Sequence, residues 1–197
     1  KDASKTEEAR TPVSQSETEV EEDDLSAIST KDFREFKVLD SKVITKAEIW
    51  STINLQMTDF SEADYNRLKS LILESDISAL QNQIREGKFN YEQLTKFYLF
   101  RIRKYDREND LSLNSVISIN PNVINQAKEA DGTEFEEGMH AIFGMPILLK
   151  DNVNADGMVT TAGATALLNN KTGDAFLVKQ LKSKGALILG KGFLERH

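Results

Sequence analysis

The chain of 197 residues contains no cysteine, which excludes a disulfide framework and a thiolate metal site. Its two histidines, His140 and His197, lie far apart in the sequence, and this disfavours a histidine-based metal site. No apolar run approaches the roughly 20 residues that a membrane-spanning helix needs. The sequence therefore predicts neither a metal site nor a membrane span.

Positive charge is also scarce, since 25 Lys and Arg stand against 32 Asp and Glu, for a net charge of −7. Residues 1–24 hold three basic and nine acidic side chains, which gives +3 − 9 = −6 and leaves the remainder near −1. The acidity thus belongs to one end of the chain rather than to a binding face. Because no basic stripe or nucleic-acid motif is present, we expect no nucleic-acid partner.

The composition divides the chain into three regions. Residues 1–29 are polar and acidic and lack the apolar side chains that would offset their ordering entropy, so we predict a disordered acidic leader. Residues 30–88 are predicted to form a helical N-terminal region, and residues 89–197 an α/β region. The first residue is Lys1 rather than Met, which suggests a processed or trimmed protein. Such a leader favours an extracytoplasmic or cell-envelope location over a cytoplasmic one.

Polar residues mark the starts of three predicted helices. Ser61 is followed three residues later by Asp64, and Asn90 by Gln93, as in capping boxes. Another helix is predicted from Ser75 to a stop at Gly87. The helix that begins at Asn90 carries an apolar and aromatic stripe that we interpret as core packing: Leu94, Phe97, Tyr98, Ile102 and Tyr105.

The second half of the chain alternates strand and helix patterns. A β-branched run predicts a strand over residues 113–119. The run from Met145 to Leu149 is apolar at every position, which is typical of a strand covered on both faces. A helix over 174–184 and a strand over 186–189 would complete a crossover between parallel strands. After the first strand, Asn120 and Pro121 are predicted to begin a helix that runs through Ala130.

Lys150 directly follows the apolar run from Met145 to Leu149 and precedes Asp151. A lysine at the end of a buried strand is unusual, because burial disfavours its charge. One interpretation is an ion pair with Asp151 or another acid that holds the strand end. The other is a desolvated lysine that acts as a general base. The two residues alone do not decide between them.

The surrounding segments resemble the amidase signature family. The resemblance rests on Gly-Met-Pro-Ile-Leu-Leu-Lys-Asp-Asn-Val at 144–153, Thr-Thr-Ala-Gly at 160–163 and Gly-Ala-Leu-Ile-Leu-Gly-Lys at 185–191. The helix over 90–105 and the strand over 113–119 also resemble that family. The chain is thus similar to the N-terminal part of an amidase-signature α/β/α mixed-sheet fold, and the similarity runs from about Asn90 to Lys191.

This resemblance implies a Ser–Ser–Lys amidase without a metal or other cofactor. Lys150 would be the lysine that takes a proton from a bridging serine in a cis peptide, which in turn activates the nucleophilic serine. Asp151 would help to place the strand end. Thr160, Thr161 and Gly163 would lie in a loop close to the active-site cleft.

Three features depart from the family's pattern. Both serines of the triad are expected well downstream of the lysine, in a glycine- and serine-rich segment, yet only Ser183 follows Lys150. Ser183 lies between two lysines and is expected at the surface. Ala164 stands where the family usually has serine, and the last six residues leave the family's pattern. We therefore expect a truncated or frame-shifted chain without activity of its own.

Two functions remain open from the sequence. The chain is either the N-terminal part of an amidase that acts on a small-molecule amide, or a non-catalytic binding or structural module derived from one. An incomplete parallel sheet would leave open edges. Self-association, or complementation with a C-terminal part that carries the serines, is therefore expected. The substrate amide is not indicated.

Overall fold

The computed structural model describes residues 45–106 and 113–193. The predicted acidic leader over residues 1–29 lies outside them. The described part is a mixed α/β structure, as predicted. Its elements are α1 (Lys46–Trp50), α2 (Glu62–Ile72), α3 (Ile77–Arg85), α4 (Tyr91–Asp106), β1 (Val116–Ile119), α5 (Val123–Asp131), β2 (Pro146–Lys150), α6 (Phe176–Ser183) and β3 (Leu187–Gly192), with 3₁₀ turns at Asn54–Met57 and Thr165–Leu167.

The helix starts that polar residues mark are confirmed. The Ser61 hydroxyl accepts from the Asp64 N–H at 3.2 Å, and the Asp64 carboxylate accepts from the Ser61 N–H at 2.9 Å. Asn90 and Gln93 exchange the equivalent bonds ahead of α4. These reciprocal bonds satisfy N–H groups that have no partner within the helix. Helix α3 starts one residue later than predicted, after Asp76.

A distant carboxylate adds to the cap of α4. Asp131, at the end of α5, accepts from the N–H groups of Tyr91 at 2.7 Å and Glu92 at 3.0 Å. A negative group at a helix N-terminus is favoured by the helix dipole. This bond ties α4 to α5 across 40 residues, and no local pattern predicts it.

The core lies between the helices and one face of the sheet. Tyr65 of α2 stacks on Phe97 of α4, with ring centroids 4.8 Å apart. The predicted core stripe of α4 is fully buried at its Leu94 and Phe97 end, and Tyr105 at the far end is 40% exposed. Trp50 is also buried in this core. A second, smaller cluster lies on the other side of the sheet and comprises Leu149, Ala155, Met158, Val178 and Ile188.

The sheet has the order β1-β3-β2. Strand β2 pairs in parallel with β3, and α6 connects them, so the predicted strand–helix–strand unit is confirmed. Strand β1 pairs with β3 in antiparallel orientation. The register places Lys150 beside Gly192. The sheet is therefore mixed, and its centre is the last of the described strands.

The helix predicted from Asn120 and Pro121 begins later than expected. Helix α5 starts at Val123, with Asn122 as the preceding residue. The Asn120 Oδ1 accepts from the Asn122 N–H at 3.0 Å, while its Nδ2 donates to the Ile188 carbonyl at 2.8 Å. Asn120 thus closes the turn ahead of α5 and also ties the end of β1 to β3.

The prediction that β2 is covered on both faces is wrong for the part of the chain that the structure describes. Leu149 is 5% exposed, whereas its neighbour Leu148 is 45% exposed. The reason is that side chains alternate along a strand, and only the side of Leu149 meets the second apolar cluster. Strand β2 therefore has one covered face and one open face.

A tight contact joins the start of the segment that carries Lys150 to α4. Gly144 has φ +69°, and a Cβ built there would lie 2.2 Å from the Tyr91 ring. Gly144→Ala should therefore combine left-handed backbone strain with overpacking. We expect it to lower the free energy of unfolding by about 3 kcal/mol, measured by urea denaturation.

Gly157→Ala is the matched control. Gly157 has φ +80° but nothing lies within 4 Å of the added Cβ, so only backbone strain of about 1 kcal/mol should appear. Equal losses for the two variants would contradict a role for the Tyr91 contact.

Candidate active site

Lys150 ends β2 on the open side of the sheet. Its side chain is exposed and lines a groove of about 470 Å³. The expectation that this lysine is buried is therefore not met among the described residues. The groove is mainly apolar, and its other lining residues are Leu113, Asn114, Ser115, Val116, Leu148, Gly192 and Phe193.

Asp151 is buried, in contrast to its neighbour Lys150. It is 1% exposed, and its carboxylate accepts from the Thr161 N–H at 3.2 Å and from the Thr161 hydroxyl. Its own N–H donates to the Gly192 carbonyl at 3.1 Å. No ion pair joins Lys150 to Asp151 within the described residues, so that pairing is not formed. The physical reason is that the carboxylate accepts from Thr161 of the turn, while the lysine lines the groove.

The Thr-Thr-Ala-Gly segment forms the turn that receives Asp151. The Ala162 N–H donates to the Asp151 carbonyl at 3.2 Å, and the Gly163 N–H donates to the Thr161 hydroxyl at 3.1 Å. Ala162 and Gly163 both have positive φ, +48° and +74°. Thr160 is buried and exchanges bonds with Asn170. The structure thus brings the predicted loop residues to the strand end that carries Lys150.

A second lysine, Lys191 of β3, is fully buried in this region. Its Nζ donates to the Thr160 hydroxyl. Burial lowers the pKa of the Lys191 ammonium, and the negative charge of Asp151 partly opposes this change. The buried, desolvated environment that was expected for Lys150 is therefore found at Lys191.

The sequence pattern indicates Lys191 only as the last residue of the 185–191 motif. Its position nevertheless resembles that of Lys150, because it comes shortly after the apolar run 186–189, with Gly190 between them. The sequence does not show which of the two lysines is covered. That depends on where the turn at 160–163 packs.

Three further findings concern the described part. Ser183 is exposed on α6 and donates its hydroxyl to the Gln180 carbonyl at 2.8 Å, so it lies at the surface as predicted. Within residues 45–106 and 113–193, no group of three or more acidic or histidine side chains could hold a metal ion. None of the helices in those ranges is both long and apolar enough to cross a membrane.

Comparison with known proteins identifies a common family. A family model described as Amidase matches residues 93–196. The match continues beyond Lys191, where the resemblance was expected to end, so that expected boundary is too early. The matched range contains every site residue named above.

Individual relatives agree with this match. A protein of Arabidopsis thaliana named as a probable amidase is 35% identical over 128 residues, which are 62% of this chain and 24% of the relative. A glutamyl-tRNA(Gln) amidotransferase subunit of Pseudomonas fluorescens is 35% identical over 117 residues, 58% of this chain and 23% of that protein. The chain thus spans about a quarter of the length of these curated relatives.

A solved structure shows the same fold. The crystal structure of an amidase family protein from Bacillus anthracis superposes with a TM-score of 0.71 at 34% identity. The superposition covers 77% of this chain and 30% of that one. The mixed sheet and its helices are therefore those of an amidase-signature fold.

The buried carboxylate of Asp151 provides a test of the site's architecture. Asp151→Ala removes the acceptor of both Thr161 bonds and the negative charge that faces the buried Lys191. We expect a loss of about 3 kcal/mol in the free energy of unfolding, measured by urea denaturation at pH 7.

Asp156→Ala is the control, because Asp156 is exposed in the same loop region. It should change stability by less than about 0.5 kcal/mol. If Asp151→Ala were as mild as this control, the carboxylate would not hold the turn.

Proposed function

Because the chain belongs to the amidase family, we propose that it supplies Lys150 as the base of a Ser–cis-Ser–Lys hydrolase that cleaves amide C–N bonds. The single observation that carries this proposal is the position of Lys150. It lies at the carboxyl end of a parallel strand, its side chain lines a groove, and its buried neighbour Asp151 is held by the turn at 160–163. Ligands of open α/β sheets bind outside the carboxyl ends of the strands.

The proposed chemistry needs a neutral lysine and two hydroxyl groups. The Lys150 amine takes a proton from the bridging serine, which takes the proton of the nucleophilic serine as that oxygen attacks the amide carbon. The proton then returns to the leaving nitrogen as the C–N bond breaks. Water hydrolyses the resulting acyl ester by the same relay and regenerates the serine. Backbone N–H donors would stabilise the oxyanion.

The chain itself provides one of these three groups. Only Ser183 follows Lys150 in the 197 residues, and it lies on the exposed side of α6. We therefore propose that this chain alone does not turn over amides. A C-terminal part with the two serines would complete the site, and the open face of β2 at Leu148 would receive it.

A second function is transfer of ammonia from an amide to an acceptor. It is favoured by the similarity to the amidotransferase subunit of Pseudomonas fluorescens. The lysine and serines would act as in hydrolysis, and water would still hydrolyse the acyl ester. The difference would be that the released ammonia attacks an activated carbonyl of the acceptor instead of leaving into solution. A non-catalytic module is the remaining alternative, favoured by the missing serines.

The DNA downstream of codon 197, translated in all three frames, separates the last alternative from the first two. A Gly-Gly-Ser-Ser-Gly-like stretch some 70 to 80 codons past Lys150, the spacing that the family resemblance suggests, would support an enzyme. Its absence would support the non-catalytic module.

Turnover is tested by ammonia release from a panel of primary amides. We expect the 197-residue chain to give no release above buffer. Mixed with the separately expressed C-terminal part of the Bacillus anthracis relative, it should release ammonia. Lys150→Met in the mixture should reduce the rate by about 10²–10⁴-fold, as expected for loss of a general base.

Lys184→Met is the matched control, since Lys184 is an exposed lysine just after α6, and its rate should match that of the unchanged mixture. Turnover by the chain alone that Lys150→Met abolishes would overturn the proposed inactivity. No turnover from two soluble parts that bind each other would count against the amidase proposal.

A further inference from the structure

Lys191 carries a buried charge that core packing does not require and that takes no part in the proposed proton relay. Its side chain is 0% exposed, although lysine is among the residues least often buried without a partner. Strand β3 is the centre of the sheet, and Lys191 lies on it between Ser118 of β1 and Leu149 of β2. A methionine or leucine would fill such a position without the cost of burying an ammonium.

The contacts of Lys191 close a ring around the end of β2. Its Nζ donates to the hydroxyl of Thr160. The next residue, Thr161, donates its N–H and hydroxyl to Asp151. The N–H of Asp151 donates to the carbonyl of Gly192, the residue after Lys191. The ring therefore runs from β3 through the turn to the end of β2 and back to β3. Lys150 is the residue directly before Asp151 in this ring.

Charge complements this geometry. The ammonium of Lys191 has three N–H donors, and Thr160 is its one hydrogen-bond partner in the part of the chain that the structure describes. The other group that compensates it is the buried negative charge of Asp151. Each buried charge is less costly with an opposite charge nearby. The attraction between them therefore adds to the hydrogen bonds that join the turn to the strand end.

From this ring we infer that Lys191 is a positioning residue, which acts through Thr160 and Asp151 to hold the end of β2 and thereby the direction of Lys150. The inference rests on the proposed function for the identity of the positioned base. The ring itself does not depend on turnover. A base must be held within hydrogen-bond reach of its proton donor, so a loose strand end reduces the rate.

The test is amide hydrogen exchange on the 197-residue chain with Lys191→Met, which keeps the length of the side chain and removes its charge. Three amides report the ring: those of Asp151, Thr161 and Ala162, each donated within it. We expect their exchange to become at least about tenfold faster, the effect of losing one well-formed hydrogen bond. Amides in the middle of α4 and α5 should keep their rates.

Thr160 offers a milder pair of variants that keeps the test informative if Lys191→Met does not fold. Thr160→Ser retains the hydroxyl that accepts from Lys191, whereas Thr160→Val retains the shape and loses the acceptor. Ring amides should exchange faster in Thr160→Val and keep their rates in Thr160→Ser. Equal behaviour of the two variants, or an equal acceleration of ring and helix amides, would overturn the inference.

Turnover of the complemented enzyme gives an independent readout. Thr160→Val should lower kcat with little change in KM, and Thr160→Ser should restore it, because a displaced base affects the chemical step rather than ground-state binding. A change in KM alone would argue against positioning. If the ring amides respond as expected but no variant or wild-type mixture turns over amides, the ring stands and the amidase proposal fails.

Discussion

The pairing of β3 with both of its neighbours is the constraint on which the site depends. Because β3 is central, its register with β2 places Lys150 beside Gly192, and its bond to β1 fixes the other side. Strand β3 also carries Lys191 into the space beneath the 160–163 turn. The last described strand in the chain thus organises residues that lie well before it in the sequence.

Alternation along the strand end separates two neighbouring charges. Lys150 enters an open groove, while Asp151 is buried against Thr161. A carboxylate held in this way does not neutralise the lysine beside it, and its charge is compensated instead by Lys191. Lys150 therefore lines the groove, while Lys191 bonds the turn.

Much of the fold could be predicted from local patterns. The caps at Ser61 and Asn90 and the strand–helix–strand unit are confirmed, because they depend on bonds and periodicities within a few residues. The predictions that are wrong concern groups used by distant partners. Asn120 also bonds β3, and the helix after it begins only at Val123. Asp151 forms no pair with Lys150, because its carboxylate accepts from Thr161 instead. The cap that Asp131 gives α4 was missed for the same reason.

The sequence by itself determined the family, the α/β class and the candidate lysine, since these follow from segments that are contiguous in the chain. Only the tertiary structure decided which lysine is buried. Lys150 and Lys191 each end an apolar run and are alike in local sequence. Their environments differ because the turn at 160–163 covers one side of the sheet and leaves the other open. Burial is a property of packing between distant segments, and packing decides here which lysine lines the groove and which is buried.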